Sequence, residues 1–121
     1  MMNVVLSAVT KQDKQATKAL LRDYAKMCQM VTGLSHKQDL TIQEQQVNKS
    51  YKHLVEHVLL AHSLILDDEV KRIIEHRYFK SRSYVLTSIQ FRSIMSERTV
   101  DRRIEKGVCM ITESLKLWGV I

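Results

Sequence analysis

The fold of this chain is decided by residues 96–118, which read SERTVDRRIEKGVCMITESLKLW. At 100° of rotation per residue, six apolar side chains of this stretch fall within one narrow arc of a helix. They are Val100, Ile104, Val108, Ile111, Leu115 and Trp118. Ser96 is a favoured N-cap residue, and Gly119 is a favoured residue just past a helix end. The pattern predicts one long helix whose apolar arc packs on the rest of the molecule.

The side of this predicted helix that faces away from the apolar arc is basic. The side chains on or beside it are Arg98, Thr99, Arg102, Arg103 and Lys106. Glu97 and Asp101 are expected toward the packed side, which leaves Glu105 as the one acid near the basic side. A helix that enters the major groove needs such a surface, since arginine can make paired hydrogen bonds to guanine there.

A short helix and a turn are predicted directly before the long helix. The short helix extends from about Tyr84 to Arg92, with Val85, Leu86 and Ile89 as its buried side, and residues 93–95 form the turn. A short helix, a tight turn and a long helix in this order are typical of a helix-turn-helix.

Another helix is predicted before the helix-turn-helix. The sequence Leu66-Asp67-Asp68-Glu69 combines a break with a new N-cap, and acids in a first turn complement the helix dipole. The helix is expected to reach about Phe79. Its inward side chains are expected to be Val70, Ile73, Ile74 and Tyr78.

The N-terminal half of the chain predicts two helices. The first begins at Thr10, with Asp13 in an imperfect capping box, and ends at Gly33. The second begins at Thr41, with Glu44 at the capping-box position. The apolar stripes are Leu20, Tyr24, Met27 and Val31 in the first helix and Val47, Tyr51, Leu54, Val58, Ala61 and Ile65 in the second. The second stripe has heptad spacing, so the two helices pair either with each other or with the same helices of a second chain.

The composition fits a small all-α protein. The chain has 121 residues, no proline and three glycines, which argues against an all-β fold and against a large enzyme with a deep cleft. Cys28 and Cys109 are too far apart in sequence for a paired metal motif and are interpreted as buried thiols of a cytoplasmic protein. No apolar run approaches the roughly 18 residues of a membrane span, and Met1–Val9 lacks the basic residues of a signal peptide.

The net charge of +6 is unevenly distributed. The segment from Lys71 to Lys106 has ten basic and four acidic residues, a surplus of six that equals the charge of the whole chain. A basic surface concentrated in one segment is the electrostatic footprint of a phosphate-binding face.

Two segments resemble the C-terminal domain of sigma factors, which reads the upstream promoter element. They are Leu66–Phe79, LDDEVKRIIEHRYF, and Ser96–Arg103, SERTVDRR. In that domain an acid-led helix ending in Arg-Tyr precedes a helix-turn-helix, and the recognition helix opens with Ser-x-x-Thr-Val and continues into basic residues. The layout is more similar to phage regulators of the ArpU and RinA type, sigma-like late-gene activators of phages and prophages of Gram-positive bacteria. Ile94 stands where the sigma turn usually has Gly, and Gln90 replaces a small residue of the first helix.

This resemblance implies an all-α transcription regulator of the bacterial cytoplasm that binds double-stranded DNA. Residues 1–65 would form an N-terminal helical hairpin, and residues 66–121 a sigma-like helix-turn-helix bundle with a long recognition helix. Arg98 and Arg102 are expected to contact bases, while Ser96, Thr99, Arg103 and Lys106 hold phosphates. Arg77, Lys80 and Arg82 are expected to contact the flanking DNA backbone. A homodimer and a contact with RNA polymerase remain open.

One further motif suggests a different chemistry. Residues 53–57, HLVEH, match the H-x-x-E-H pattern of inverted zinc proteases. That chemistry needs a third ligand and a water-bearing cleft, which nothing else in the sequence supplies. No Gly-rich phosphate loop and no supported Ser/His/Asp set is present either. The sequence therefore predicts a protein that is not an enzyme and that binds no metal or cofactor.

Two other functions stay open beside transcription regulation. The chain could be a protein-interaction adaptor whose sigma-like half binds RNA polymerase or another regulator. It could also be the small subunit of a DNA-packaging machine, in which a helix-turn-helix serves recognition and oligomerisation.

Overall fold

The structure, a computed structural model, describes residues 8–121, so most of the segment Met1–Val9 lies outside the described residues. Within this range the chain is all-α and contains no strand, as the sequence predicted. The elements are α1 (Lys11–His36), α2 (Ile42–Ser63), α3 (Asp68–Ile74), a π-helical turn (Glu75–Phe79), α4 (Tyr84–Phe91) and α5 (Glu97–Leu117). None of these helices combines the length with the hydropathy that a membrane-spanning segment requires.

Each of these five α-helices begins with a side-chain cap. The capping residues are Thr10, Thr41, Asp67, Ser83 and Ser96. At Thr10 and Thr41 the capping box is complete. The threonine hydroxyl accepts the backbone N–H of the acidic residue three positions later, and the carboxylate of that residue accepts the backbone N–H of the threonine. The predicted starts at Thr10, Thr41 and Ser96 are therefore confirmed.

The predicted end of α1 at Gly33 is wrong. The helix continues to His36, and the N–H of Lys37 donates to the carbonyl oxygen of Leu34 at 3.3 Å. Leu34 is 8% exposed, so the additional turn buries one more apolar side chain. That burial outweighs the roughly 1 kcal/mol that a glycine costs inside a helix.

One hydrophobic core joins the helices of residues 8–121. Its buried members are Leu21, Val58, Ala61, Ile65, Val70, Ile73, Ile74, Tyr78, Val100, Ile104, Val108, Ile111 and Leu115. They come from both sides of the boundary predicted between residues 65 and 66, so the two predicted regions share a core. α5 contacts α1, α2 and α3, and its predicted apolar arc is buried except for Trp118, which is partly buried.

The apolar stripes of α1 and α2 pack within the chain. On α2, Val58, Ala61 and Ile65 are buried in the common core. On α1 the deepest residues are Thr17 and Leu21, each 0% exposed, although neither belongs to the predicted stripe. The buried surface of α1 is wider than one stripe because this helix packs against both α2 and α5.

The third predicted helix is divided into α3 and the π-helical turn. All four predicted inward side chains, from Val70 to Tyr78, are buried. In the π-helical turn the N–H of Lys80 donates to the carbonyl oxygen of Glu75, five residues earlier, at 2.8 Å. Phe79 then stacks on the ring of Tyr24, with 4.4 Å between the ring centroids, and this contact fixes the end of the turn on α1.

Gly107 allows α5 to approach α3 closely. A Cβ atom at this position would lie 2.5 Å from Ile74 Cγ1 and 3.0 Å from Val70 Cγ1. Only glycine fits this crossing without a change in the Ile74 side chain or a shift of one helix.

The predicted buried side of α4 is wrong. Val85, Leu86 and Ile89 are 63%, 48% and 48% exposed, whereas Thr87 is fully buried. The hydroxyl of Thr87 lies 2.9 Å from His76 Nδ1 and ties α4 to the π-helical turn. In so short a helix, this polar contact and partly buried aromatic side chains at both ends determine which side faces the core.

Candidate nucleic-acid interface

The connection between α4 and α5 forms a tight turn without glycine. The N–H groups of Ile94 and Met95 both donate to the carbonyl oxygen of Phe91, at 3.1 and 3.0 Å. Outside glycine, positive φ angles occur among the described residues only at Asp39 and Ser81. Ile94 is thus not in the left-handed region, and this turn does not need the glycine of the sigma pattern.

The first turn of α5 is closed by two hydroxyl groups. Ser96 Oγ accepts the N–H of Thr99 at 3.2 Å and lies 3.0 Å from Thr99 Oγ1. Both residues were predicted to hold phosphates. In this structure the two hydroxyl groups form the N-cap of α5 instead. The cap aligns the N–H groups of the first turn that have no partner within the helix.

Arg98 and Arg102 extend from the exposed side of α5. Among the described residues, no carboxylate lies within 4 Å of either guanidinium group. Glu97 and Asp101 were expected toward the packed side, but both are exposed. The surface therefore alternates cations and anions instead of being uniformly basic.

The acid nearest the middle of this surface, Glu105, is paired with a residue of α1. Lys18 Nζ lies 2.8 Å from Glu105 Oε1. The pair reduces the negative charge beside Arg102. Sequence reasoning did not find Lys18, because no local pattern indicates which residue of α1 packs beside α5.

Arg103 and Lys106 both lie close to the carboxylate of Asp67, the N-cap residue of α3. Arg103 Nη1 and Lys106 Nζ lie 3.2 and 3.9 Å from Asp67 Oδ2. Asp67 Oδ1 accepts the N–H groups of Val70 and Glu69 at 3.2 and 3.0 Å. These hydrogen bonds, first that of Val70, and the two cations hold the pKa of Asp67 below its ordinary value. A phosphate would have to share these cations with Asp67.

The three flanking residues lie in the π-helical turn, which contains Arg77, and in the connection to α4, which contains Lys80 and Arg82. Arg77 stacks over the ring of Tyr78, 4.7 Å from its centroid, and donates to the carbonyl oxygen of Arg82 at 3.1 Å. Lys80 and Arg82 are exposed, on either side of Ser81, whose φ of 52° reverses the chain. Arg77 therefore orders this connection, while Lys80 and Arg82 present their charges to solvent.

The π-helical turn also contains a histidine, His76, close to these charges. Partial burial lowers the pKa of His76 below its ordinary value of 6.5, and the positive charges of Lys80 and Arg82 lower it further. Both effects favour the neutral form of His76 where its ring contacts Thr87 of α4.

The zinc-protease motif does not form a metal centre. His57 Nδ1 donates to the carbonyl oxygen of His53 at 2.7 Å, and the two rings lie 4.1 Å apart. Across the part of the chain that the structure describes, no group of three or more His, Cys, Asp or Glu side chains is placed to hold a metal ion. Cys28 and Cys109 are unpaired and only partly buried, although burial was predicted for both.

The structure therefore brings Ser96, Arg98, Thr99 and Arg102 together at the start of α5 and Arg103 and Lys106 together at Asp67. Arg77, Lys80 and Arg82 form a separate group before α4. No family model matches the chain, and no curated protein and no solved structure matches it either.

Proposed function

We propose that this chain is a sequence-specific DNA-binding regulator of transcription that places the first turns of α5 in the major groove. The observation that carries the proposal is the pair of exposed guanidinium groups of Arg98 and Arg102, which lack a carboxylate partner among the described residues. A guanidinium without a competing acid can make two hydrogen bonds to one guanine. The turn before Ser96 and the N-cap at Ser96 fix the residue at which α5 begins. They therefore fix the positions of these two side chains on the helix.

Phosphate contacts supply most of the affinity in this proposal. Lys106 is exposed, with its ammonium 3.9 Å from Asp67, so it can turn toward DNA without breaking a short ion pair. Lys80 and Arg82 add charge beside α4. Such contacts position the protein on the duplex, whereas the two arginines of α5 read its sequence.

The resemblance to the ArpU and RinA type supports a late-gene activator of a phage or prophage, acting in the cytoplasm of the bacterial host. In the same proposal, RNA polymerase is a partner and the chain acts as a monomer or a homodimer.

The test is selection of bound sequences from random duplexes, followed by binding titrations on the selected duplex and on a scrambled one. Arg102→Ala is expected to reduce the preference for the selected duplex by roughly tenfold to a hundredfold, the range for one bidentate base contact. Lys106→Ala is expected to weaken both duplexes equally and to lower the salt slope by about 1.

Lys52→Ala is the matched control. Lys52 is exposed on α2, in the turn before His57, whose ring contacts Trp118 at the opposite end of α5 from Arg98. Its removal changes the net charge equally and should leave both affinities nearly unchanged. Unchanged binding in the Arg102 and Lys106 variants would rule out the assigned surface.

The adaptor function has one observation in its favour, the exposed aliphatic side of α4. Absence of duplex binding at low salt would leave it as the better proposal and would exclude DNA packaging too. If duplex binding occurs, the molecular mass of the protein in solution distinguishes transcription regulation from DNA packaging. A defined ring favours packaging, whereas a monomer or dimer favours regulation.

A further inference from the structure

The outer side of α4 exposes a compact group of aliphatic side chains. Val85 is 63% exposed, Leu86 and Ile89 are each 48% exposed, and Ile94 in the following turn is 65% exposed. These four residues are called the α4 face below. Three of them lie at positions i, i+1 and i+4 of an eight-residue helix and therefore share one side. Aliphatic groups clustered in this way mark a binding surface more often than scattered ones do.

A groove between α4 and the start of α5 borders the α4 face. It has a volume of about 220 Å³ and is lined by Val85, Ser88, Ile89, Arg92 and Glu97. Val85 and Ile89 give this groove an apolar wall, and a groove with such a wall can accommodate the apolar side of an amphipathic helix. A DNA backbone would not cover these aliphatic groups, since proteins contact it through charged and polar groups.

The charges around the α4 face have nearly one sign. From Lys80 to Ser96 the chain carries three basic residues, Lys80, Arg82 and Arg92, and no acidic residue. All three are exposed, and the first acid is Glu97 at the edge of the groove. A partner with carboxylates beside its apolar side chains would match both the aliphatic centre and the basic rim.

This charge distribution disfavours a second copy of the chain as the occupant. In a symmetric dimer each residue near the axis faces its own equivalent, so the basic rims would be opposed. A membrane surface fits less well than a helix, because membrane-binding helices present a long apolar side and the α4 face lies on eight residues beside a groove.

We infer that the α4 face binds an acidic amphipathic helix of another protein. The apolar side chains of that helix, spaced at i, i+3 or i+4, and i+7, cover Val85, Leu86 and Ile89. Its carboxylates face Arg82 and Arg92. The site does not include Arg98 or Arg102, and Arg82 is the one residue that it shares with the proposed DNA surface.

The experiment uses the full chain and a displayed library of helical peptides of about 18 residues, randomised on one face and its flanks. Enriched peptides are expected to combine the apolar spacing with acidic flanks. In titrations of the best peptide, Ile89→Ser and Arg92→Glu should each weaken binding by about tenfold or more, because one removes apolar contact and the other reverses the rim charge.

Two variants serve as controls. Leu66→Ser changes a leucine that is 92% exposed outside the α4 face, and it should leave peptide affinity unchanged. Arg102→Ala should also keep peptide binding, whatever it does to DNA binding. Circular dichroism of each variant verifies that the helices are retained.

Several outcomes would overturn the inference. They are enrichment of basic or unpatterned peptides, no enrichment, and binding that is insensitive to both α4 variants. Self-association that Ile89→Ser abolishes would identify a second copy as the occupant instead. Binding to vesicles of phosphatidylcholine with phosphatidylglycerol that the same variant abolishes would identify a lipid surface.

Discussion

Replacing Gly107 with alanine tests how tightly α5 is packed on α3. The new methyl group would meet Ile74 Cγ1 at 2.5 Å, Ile74 Cδ1 at 2.7 Å and Val70 Cγ1 at 3.0 Å, all shorter than the 3.4–4 Å of ordinary contact. Two of these atoms belong to one side chain that is fully buried, so it cannot swing into solvent. We therefore expect either a strained rotamer of Ile74 or a shift of α5.

The magnitude follows from two opposing effects. Overpacking of a core by one methyl group costs typically 1–3 kcal/mol. Alanine is more favourable than glycine inside a helix by about 1 kcal/mol. The net expectation for Gly107→Ala is a loss of about 1 kcal/mol in the free energy of unfolding, which corresponds to a decrease in Tm of roughly 4 °C for a chain of this size.

Gly33→Ala is the matched control because it has the same chemistry in a different environment. Apart from its chain neighbours and the nearby backbone of α1, no atom lies within 4 Å of the position that its Cβ would occupy, and α1 continues through this residue. This variant should gain up to about 1 kcal/mol from helix propensity alone. Urea unfolding followed by circular dichroism would measure both variants. If Gly107→Ala is stabilised as much as Gly33→Ala, the close crossing of α5 and α3 is refuted.

Three further predictions concern polar groups. Thr112→Val is expected to lower the free energy of unfolding by about 1–3 kcal/mol, since it leaves the buried hydroxyl of Thr17, 2.8 Å away, without this partner. The pH dependence of stability should include a loss below pH 6.5, because the unfolded chain takes up a proton there that folded His76, with its lowered pKa, resists. Asp67→Asn should keep the cap of α3 but release Arg103, so DNA binding should become several-fold tighter, as anisotropy titrations would measure.

Each of these predictions has a decisive comparison. The double variant Thr17→Val/Thr112→Val should be more stable than Thr112→Val alone, because no hydroxyl is then left unpaired, and equal stabilities would contradict the hydrogen bond. A titration of His76 by NMR with a midpoint at or above 6.5 would refute its desolvation. Weaker or unchanged DNA binding by Asp67→Asn would show that Asp67 does not compete with phosphate.

Local patterns in the sequence predicted much of the fold. Caps such as Thr10 and Ser96 can be identified from a few neighbouring residues, and the apolar arc of α5 follows from helical periodicity. The end of α1 was predicted wrongly because a local signal, Gly33, is overridden by the burial of the next residue, Leu34. The buried side of α4 failed for a related reason, since the contact of Thr87 with His76 depends on the path of the preceding connection.

The candidate site could be predicted only as a set of exposed cations on one helix. Which of them are free depends on partners that are distant in sequence. Asp67 engages Arg103 across 36 positions, and Lys18 engages Glu105 across 87. Helical periodicity placed Arg102 and Lys106 on the same side of α5, but it could not show that Lys106 has a carboxylate, that of Asp67, within 4 Å whereas Arg102 has none among the described residues.

The π-helical turn makes residues 75–79 a segment from which one residue can be deleted at little structural cost. A π turn accommodates one residue more than an α-helical turn, so a single deletion there would restore a regular helix without moving α3. The same deletion in the middle of α5 would rotate all later side chains by about 100° and turn Ile111 and Leu115 out of the core. Over evolutionary time, single-residue deletions within the helices of this fold should therefore be tolerated first in this turn, next to the cations that precede α4.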